Sequence, residues 1–194
     1  MYKAVIFDLN GVFLQSEPLS KRFEEKFGVT NDQFLSALKK IMTVVRKPNA
    51  PTAYSLWKPY LDKWGISLSE KGFLDFWFLG EHLVSQLVEY ANELRSKGTK
   101  VFILSNNFRE RTEYYRQSFP QTFQCVDKAY FSWETGFVKP SIKSLQLVLS
   151  ENHLKSEECI YFDDSDDNIQ IAKSLGIHAE KWTDLESAKT AVLK

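Results

Sequence analysis

Polar residues that can bind a metal ion or an anion follow short apolar runs at four places in this 194-residue chain. These polar ends are Asp8 after residues 4–7, Ser105-Asn106-Asn107 after residues 101–104, Lys139-Pro140 at the end of residues 130–140, and Asp163-Asp164 after residues 160–162. A short apolar run of this kind is typical of a strand buried on both faces of a parallel sheet. Because ligands bind at the carboxyl ends of such strands, the pattern favours one site made from all four segments.

Each of these residues also has a simpler interpretation when it is taken alone. Asp8 could cap a strand end, Ser105 could cap a helix, and residues 163–167 could form a solvated acidic turn. Spacing alone does not distinguish Lys139 from Lys143 as the basic residue of a site. Charges that directly abut a buried strand, however, need a cation or another partner, and this favours a joint role.

In their order along the chain, the four segments resemble the motifs of the haloacid dehalogenase superfamily, most closely its phosphatases with a small helical cap. The segment Asp8-Leu9-Asn10-Gly11-Val12 is similar to the family's Asp-x-Asp-Gly-Thr/Val motif, with Asn10 in place of the second Asp. The other three motifs are matched by Ser105-Asn106-Asn107, Lys139-Pro140, and Asp163-Asp164 with Asn168 following. The resemblance covers essentially all of the chain outside the cap, and it selects Lys139 over Lys143.

The resemblance implies an Mg²⁺-dependent reaction with a covalent intermediate. Asp8 would attack phosphorus to form an aspartyl-phosphate. The Mg²⁺ ion, which prefers oxygen ligands, would be bound by the carboxylates of Asp8 and Asp164 and by the backbone carbonyl of Asn10.

The resemblance also implies residues that bind the phosphoryl group or support the site. Ser105 and the backbone amide of Asn106 would donate hydrogen bonds to the phosphoryl oxygens. Lys139 would balance the negative charge of the phosphate and the carboxylates. Asp163 would hold Lys139, with Asn168 within reach of the same loop.

The hydrophobic pattern predicts an α/β fold, a three-layer Rossmann-like parallel sheet with an inserted all-helical cap. Strands are expected at residues 3–7, 100–104, 129–131, 159–162 and 177–182. Residues 18–85 show helical spacing without a convincing strand, and Asn31 is placed as an N-cap. We therefore predict a core domain at residues 1–15 and 86–194 and a cap at residues 16–85.

Aromatic side chains are concentrated in the second half of the predicted cap, at Tyr54, Trp57, Tyr60, Trp64, Phe73, Phe76, Trp77 and Phe78. The simpler interpretation is that they form the cap's own core and its contact with the main domain. The functional interpretation is that one or two of them face the active site and select the substrate.

Composition limits the classes of partner. The 25 basic and 25 acidic residues cancel, so nothing favours a nucleic acid or an anionic membrane. No stretch reaches the ~18 apolar residues of a membrane span, and the first apolar run stops at Asp8 without a secretory pattern. Cys125 and Cys159 are expected to be buried, reduced thiols. We expect a cytoplasmic monomer or weak homodimer that acts on a small phosphorylated metabolite.

Asn10 is the departure from the family pattern that bears on activity. The carboxyl usually found there protonates the leaving oxygen and then takes a proton from the attacking water, and an amide does neither. General acid–base assistance is typically worth about 10² to 10⁴ in rate, so we expect a slow phosphatase that Asn10→Asp accelerates. The alternatives are a dehalogenase, which needs no metal, and a non-catalytic protein that keeps the metal and phosphate pocket.

Overall fold

The computed structural model describes residues 2–193. Its strands are β1 (Ala4–Phe7), β2 (Leu14–Gln15), β3 (His82–Leu83), β4 (Lys100–Ser105), β5 (Lys128–Phe131), β6 (Cys159–Asp163) and β7 (His178–Lys181). Five of them form a parallel sheet in the order β5-β4-β1-β6-β7. Phe7 at the end of β1 lies beside Ile103 and Phe162. Asp8 therefore emerges between the ends of β4 and β6.

Helices connect the strands and cover both faces of the sheet. They are α1 (Leu19–Phe27), α2 (Asn31–Val45), α3 (Ala53–Lys63), α4 (Glu70–Phe78), α5 (Ser85–Ser96), α6 (Arg109–Ser118), α7 (Pro120–Gln124), α8 (Ser132–Thr135), α9 (Ile142–Glu151), α10 (Asp166–Ser174) and α11 (Leu185–Val192), with a 3₁₀ turn at Ser156–Glu158.

Alternate residues of β1 enter two separate hydrophobic clusters, because successive side chains of a strand point to opposite faces. Val5 and Phe7 pack on the side of α5 and α11. Ala4 and Ile6 pack on the side of α9 and α10. The sheet thus has helices on both faces, and the predicted three-layer α/β architecture is confirmed.

A third hydrophobic cluster is built mainly from α1 to α4. Trp57 and Phe73 are fully buried in it, and Trp57 stacks on Phe34 with ring centroids 5.0 Å apart. The aromatic residues predicted for the cap all belong to this cluster or pack against it, which supports the interpretation as a core. The predicted domain boundaries at residues 15/16 and 85/86 stay a prediction, and residues 1 and 194 of the predicted core lie outside the described range.

Two local expectations were wrong. The 18–85 segment does contain a strand, because β3, which follows α4, pairs antiparallel with β2, which precedes α1. Helix α2 is capped by Thr30, not Asn31, in a capping box with Gln33. No helix within residues 2–193 has the length and apolar character that crossing a lipid bilayer requires.

Candidate active site

The predicted site residues converge at the carboxyl edge of the central sheet. Asp8 directly follows β1, Ser105 ends β4 and Asp163 ends β6. Each of Asp8, Asp163 and Asp164 offers a carboxylate oxygen that lies within 4.8 Å of the other two. Three carboxylates this close repel each other, so the cluster needs positive charge.

Lys139 supplies one positive charge from the loop before α9. Its Nζ lies 2.9 Å from Oδ1 of Asp8 and 2.6 Å from Oδ2 of Asp163, and only 5% of its side chain is exposed. Lys143, the second residue of α9, is exposed. The structure thus brings Lys139 to the carboxylates and not Lys143, as the motif resemblance implies.

Burial raises the pKa of Asp8 to about 6; the charge of Lys139 opposes this shift and the charge of Asp163 adds to it. One lysine therefore does not fully offset the cost of burying the charge of Asp8 beside Asp163. A bound divalent cation would favour the ionised form of Asp8.

Asp163 is completely buried, and protein groups occupy both of its oxygens. Oδ2 accepts from Lys139 and from the hydroxyl of Tyr161, while Oδ1 accepts from the backbone of Ser165 and from Nδ2 of Asn168 at 2.8 Å. Burial alone would raise the pKa of Asp163, but Lys139 and these hydrogen bonds outweigh it and hold the pKa below its ordinary value. Asp163 and Asn168 therefore have the geometry of supporting residues.

Asp164 differs from Asp163 because it is exposed. Burial of part of the side chain and the charge of Asp163 raise its pKa. A Cβ atom at Gly11 would lie only 2.8 Å from Oδ2 of Asp164, and Gly11 has a φ of +83°. A side chain at position 11 would displace the carboxylate of Asp164, and the positive φ also favours glycine.

The donor set fits Mg²⁺, which takes oxygen ligands and is usually bound by one or two carboxylates. Asp8 and Asp164 are the carboxylates with capacity for a cation, and the backbone carbonyl of Asn10 follows Asp8 on the same loop. The oxygens of Asp163 are already engaged by protein donors.

Ser105 and Asn106 line the end of β4. The Oγ of Ser105 is buried and has no hydrogen-bond partner within residues 2–193. Buried polar groups are normally hydrogen-bonded, so this hydroxyl can donate to a bound anion. The side chain of Asn106 forms two hydrogen bonds of 2.7 Å with the backbone N–H and carbonyl of Lys139. The sequence predicts only a backbone role for Asn106, yet its side chain fixes the loop that carries Lys139.

Asn10 belongs to a buried chain of hydrogen bonds that sequence reasoning missed. Its Nδ2 lies 2.6 Å from the hydroxyl of Tyr115, and that hydroxyl lies 2.8 Å from Oε2 of Glu81. Oε1 of Glu81 accepts from Nε and Nη2 of Arg111 at 3.0 and 2.6 Å. The Oδ1 of Asn10 is buried and has no partner among the described residues.

Arg46 brings a second positive charge towards the site from the end of α2. Burial lowers the pKa of Arg46, and the charge of Arg111 adds to this effect while that of Asp8 opposes it. Its Nε is buried without a hydrogen-bond partner, and it forms no ion pair with any residue from 2 to 193. Arg46 is therefore a cation with unused hydrogen-bonding capacity within electrostatic range of Asp8. No motif indicated it from the sequence.

Comparison with curated proteins finds a phosphatase and part of a much longer protein among the relatives. D-ribitol-5-phosphate phosphatase of Bacteroides thetaiotaomicron is 28% identical over 115 residues, which cover 55% of this chain and 55% of that protein. Acyl-CoA dehydrogenase family member 10 of Mus musculus is 31% identical over 107 residues, which cover 53% of this chain but 9% of that protein. The chain thus spans about half or less of the length of these curated relatives.

Among solved structures, a HAD family enzyme of Bacteroides thetaiotaomicron in complex with magnesium superposes with a TM-score of 0.84. The match covers 100% of this chain and 99% of that chain at 20% sequence identity, so it establishes the fold. The haloacid dehalogenase-like hydrolase family matches residues 2–176, a range that contains all four motif segments and the carboxylate cluster. By its sequence, its fold and the order of its site residues, the chain belongs to the haloacid dehalogenase-like hydrolase family.

Proposed function

We propose that this protein hydrolyses small phosphate monoesters with Mg²⁺ through an aspartyl-phosphate on Asp8. The observation that carries the proposal is the buried arrangement of Asp8, Lys139 and Asp163, with a Ser105 hydroxyl that has no hydrogen-bond partner among the described residues. Such a site can hold a nucleophile, balance its charge and donate to an anion. These are the main requirements of phosphoryl transfer.

In the first step, a carboxylate oxygen of Asp8 attacks phosphorus and the P–O bond of the ester breaks. The ester oxygen leaves as an alkoxide and takes a proton from water to become the alcohol, because the amide of Asn10 does not supply one. Oδ1 of Asp8 is fixed by Nζ of Lys139 at 2.9 Å and by the N–H of Leu9 at 2.7 Å. Ser105 and the amide of Asn106 hydrogen-bond the phosphoryl oxygens. Mg²⁺, when bound by Asp8, Asp164 and the carbonyl of Asn10, supplies charge neutralisation to the phosphoryl group.

In the second step, water attacks the aspartyl-phosphate and releases Asp8 as a carboxylate. The amide of Asn10 cannot take a proton from this water, so hydrolysis of the intermediate is slow and the aspartyl-phosphate accumulates.

A small phosphorylated metabolite is the favoured substrate class. The proposal draws support from the phosphatase named among the relatives, whose substrate is a phosphorylated sugar alcohol. Arg46, which reaches towards Asp8 from α2, adds a cation for an anionic substrate. That the protein is a cytoplasmic monomer or weak homodimer, without nucleic-acid or membrane partners, remains our expectation.

The test is a screen of phosphorylated metabolites with and without Mg²⁺. Wild-type protein should release phosphate only with Mg²⁺, and Asp8→Ala should abolish release. Asp32→Ala, which removes an exposed carboxylate in the first turn of α2, is the matched control and should retain activity. Full activity in excess chelator would contradict the phosphatase proposal and favour a dehalogenase. Ligand binding without turnover would favour a non-catalytic protein.

A further inference from the structure

The hydrogen-bond chain behind Asn10 has a fixed direction. Its far end is the carboxylate of Glu81, whose side chain is 1% exposed and which forms an ion pair with Arg111. A carboxylate paired with arginine only accepts hydrogen bonds. The hydroxyl of Tyr115, 2.8 Å from Oε2 of Glu81, must therefore be the donor in that contact.

Tyr115 cannot donate a second hydrogen bond. A phenol has one proton, and the Tyr115 hydroxyl already donates it to Oε2 of Glu81 at 2.8 Å. The oxygen of Tyr115 can then only accept from position 10, at a distance of 2.6 Å. Position 10 must supply a donor, and the NH₂ group of Asn10 does so.

We propose that Tyr115 and Glu81 are positioning residues that hold Asn10 as an amide, with its nitrogen on Tyr115 and its carbonyl oxygen kept as an acceptor. This inference rests on the proposed function for its catalytic part. Oδ1 of Asn10 is buried and has no hydrogen-bond partner within residues 2–193. In the proposed reaction it accepts a hydrogen bond from the water that attacks the aspartyl-phosphate. As the new P–O bond forms and the bond to Asp8 breaks, both protons of the water remain on the released phosphate.

The hydrogen-bond chain from Glu81 through Tyr115 disfavours a carboxylate at position 10. An ionised Asp would place an acceptor 2.6 Å from the oxygen of Tyr115, whose proton is already committed to Glu81. Turning that proton towards position 10 would leave Oε2 of Glu81 buried without a donor, which is costly. The acceleration that the sequence predicts for Asn10→Asp is therefore expected only after the Tyr115 hydroxyl has been removed.

A double-mutant cycle between positions 10 and 115 tests this inference. The variants are Asn10→Asp, Tyr115→Phe and both together, assayed with p-nitrophenyl phosphate and Mg²⁺ and by thermal unfolding. Tyr130→Phe is the matched control, because the Tyr130 hydroxyl accepts from Nδ2 of Asn152 at 2.8 Å in another part of the fold.

Tyr115→Phe should lower kcat about tenfold with KM within about twofold, whereas Tyr130→Phe should leave both within about twofold. Asn10→Asp should lower Tm by about 2–4 °C or more in the Tyr115 background and by less in the Tyr115→Phe background. It should raise kcat about tenfold or more only in the Tyr115→Phe background.

Equal effects of Asn10→Asp in both backgrounds, on Tm and on kcat, would overturn the positioning role. If Tyr115→Phe does not fold, Glu81→Gln provides the second test, because a glutamine amide can donate to Tyr115 and free its proton for Asp at position 10. Absence of turnover in the wild type would count against the proposed function alone, since the Tm cycle measures the coupling without catalysis.

Discussion

Replacing Lys139 with methionine removes the positive charge that two buried carboxylates share while keeping a side chain of similar length. Lys139 contacts Asp8 at 2.9 Å and Asp163 at 2.6 Å, and the three side chains are 5%, 12% and 0% exposed. Breaking a buried ion pair by removing one partner costs roughly 3–5 kcal/mol. For a chain of this size that corresponds to a Tm lower by about 6–20 °C.

The loss of stability in Lys139→Met should depend on pH with a defined sign. Asp8 has a pKa raised to about 6 in the folded protein, so the folded state binds a proton more tightly than the unfolded chain. The charge of Asp8 therefore costs stability above about pH 6, and protonation relieves that cost as the pH falls through the window from about 6 to 3.8. The Tm difference from wild type should be largest at pH 7 and above and should shrink at pH 5. Mg²⁺ should also reduce it.

The assay combines thermal unfolding at pH 5 and 7, with and without Mg²⁺, and phosphatase kinetics. Activity of Lys139→Met should fall by about 10²-fold or more, as when one preorganised donor to a developing charge is lost. Lys143→Met is the matched control, because Lys143 is exposed and should tolerate the change in both assays. Equal effects of the two substitutions, or a Tm loss that is the same at pH 5 and 7, would refute the reasoning.

Three further predictions concern groups around Asp8. Ser105→Ala should lower kcat/KM about 10²-fold with little change in Tm, because the Ser105 hydroxyl has no partner within residues 2–193; a large Tm loss would show that it has a structural role. Mg²⁺ should bind about tenfold more weakly at pH 5 than at pH 7 by titration calorimetry, because the raised pKa of Asp8, about 6, makes the proton compete with the metal; equal affinities would contradict this. Arg46→Met should raise KM several-fold and raise Tm, because the buried cation has no ion pair among the described residues; an unchanged KM would remove Arg46 from the substrate site.

The catalytic edge of the sheet is predictable from the sequence because each of its residues abuts a strand. Asp8, Ser105 and Asp163 follow apolar runs directly, so a local pattern is enough to place them together. The strands β2 and β3 have two residues each, too few for a periodic pattern, and their pairing joins residues that lie far apart in the sequence. For this reason the sequence does not predict the two-stranded sheet of β2 and β3.

The sequence does not predict the residues that hydrogen-bond to the site residues from behind, and the reason is different. Tyr161 lies in the middle of an apolar run and reads as core, yet its hydroxyl binds Asp163. Tyr115 and Glu81 are 34 positions apart, and neither lies in a motif. Their function depends on which polar atoms meet after folding, and hydrophobic periodicity contains no information on this.

The charge balance of the site leaves a role for Arg46, at the end of α2, in the proposed reaction. The carboxylates of Asp8, Asp163 and Asp164 and the ammonium of Lys139 leave an excess of two negative charges, consistent with the raised pKa values of Asp8 and Asp164. One Mg²⁺ ion cancels that excess but leaves nothing to offset the dianionic phosphate of a substrate. Arg111 cannot do so fully, because it is paired with Glu81. Arg46 has no such partner within residues 2–193, so its charge is available when the phosphate group arrives.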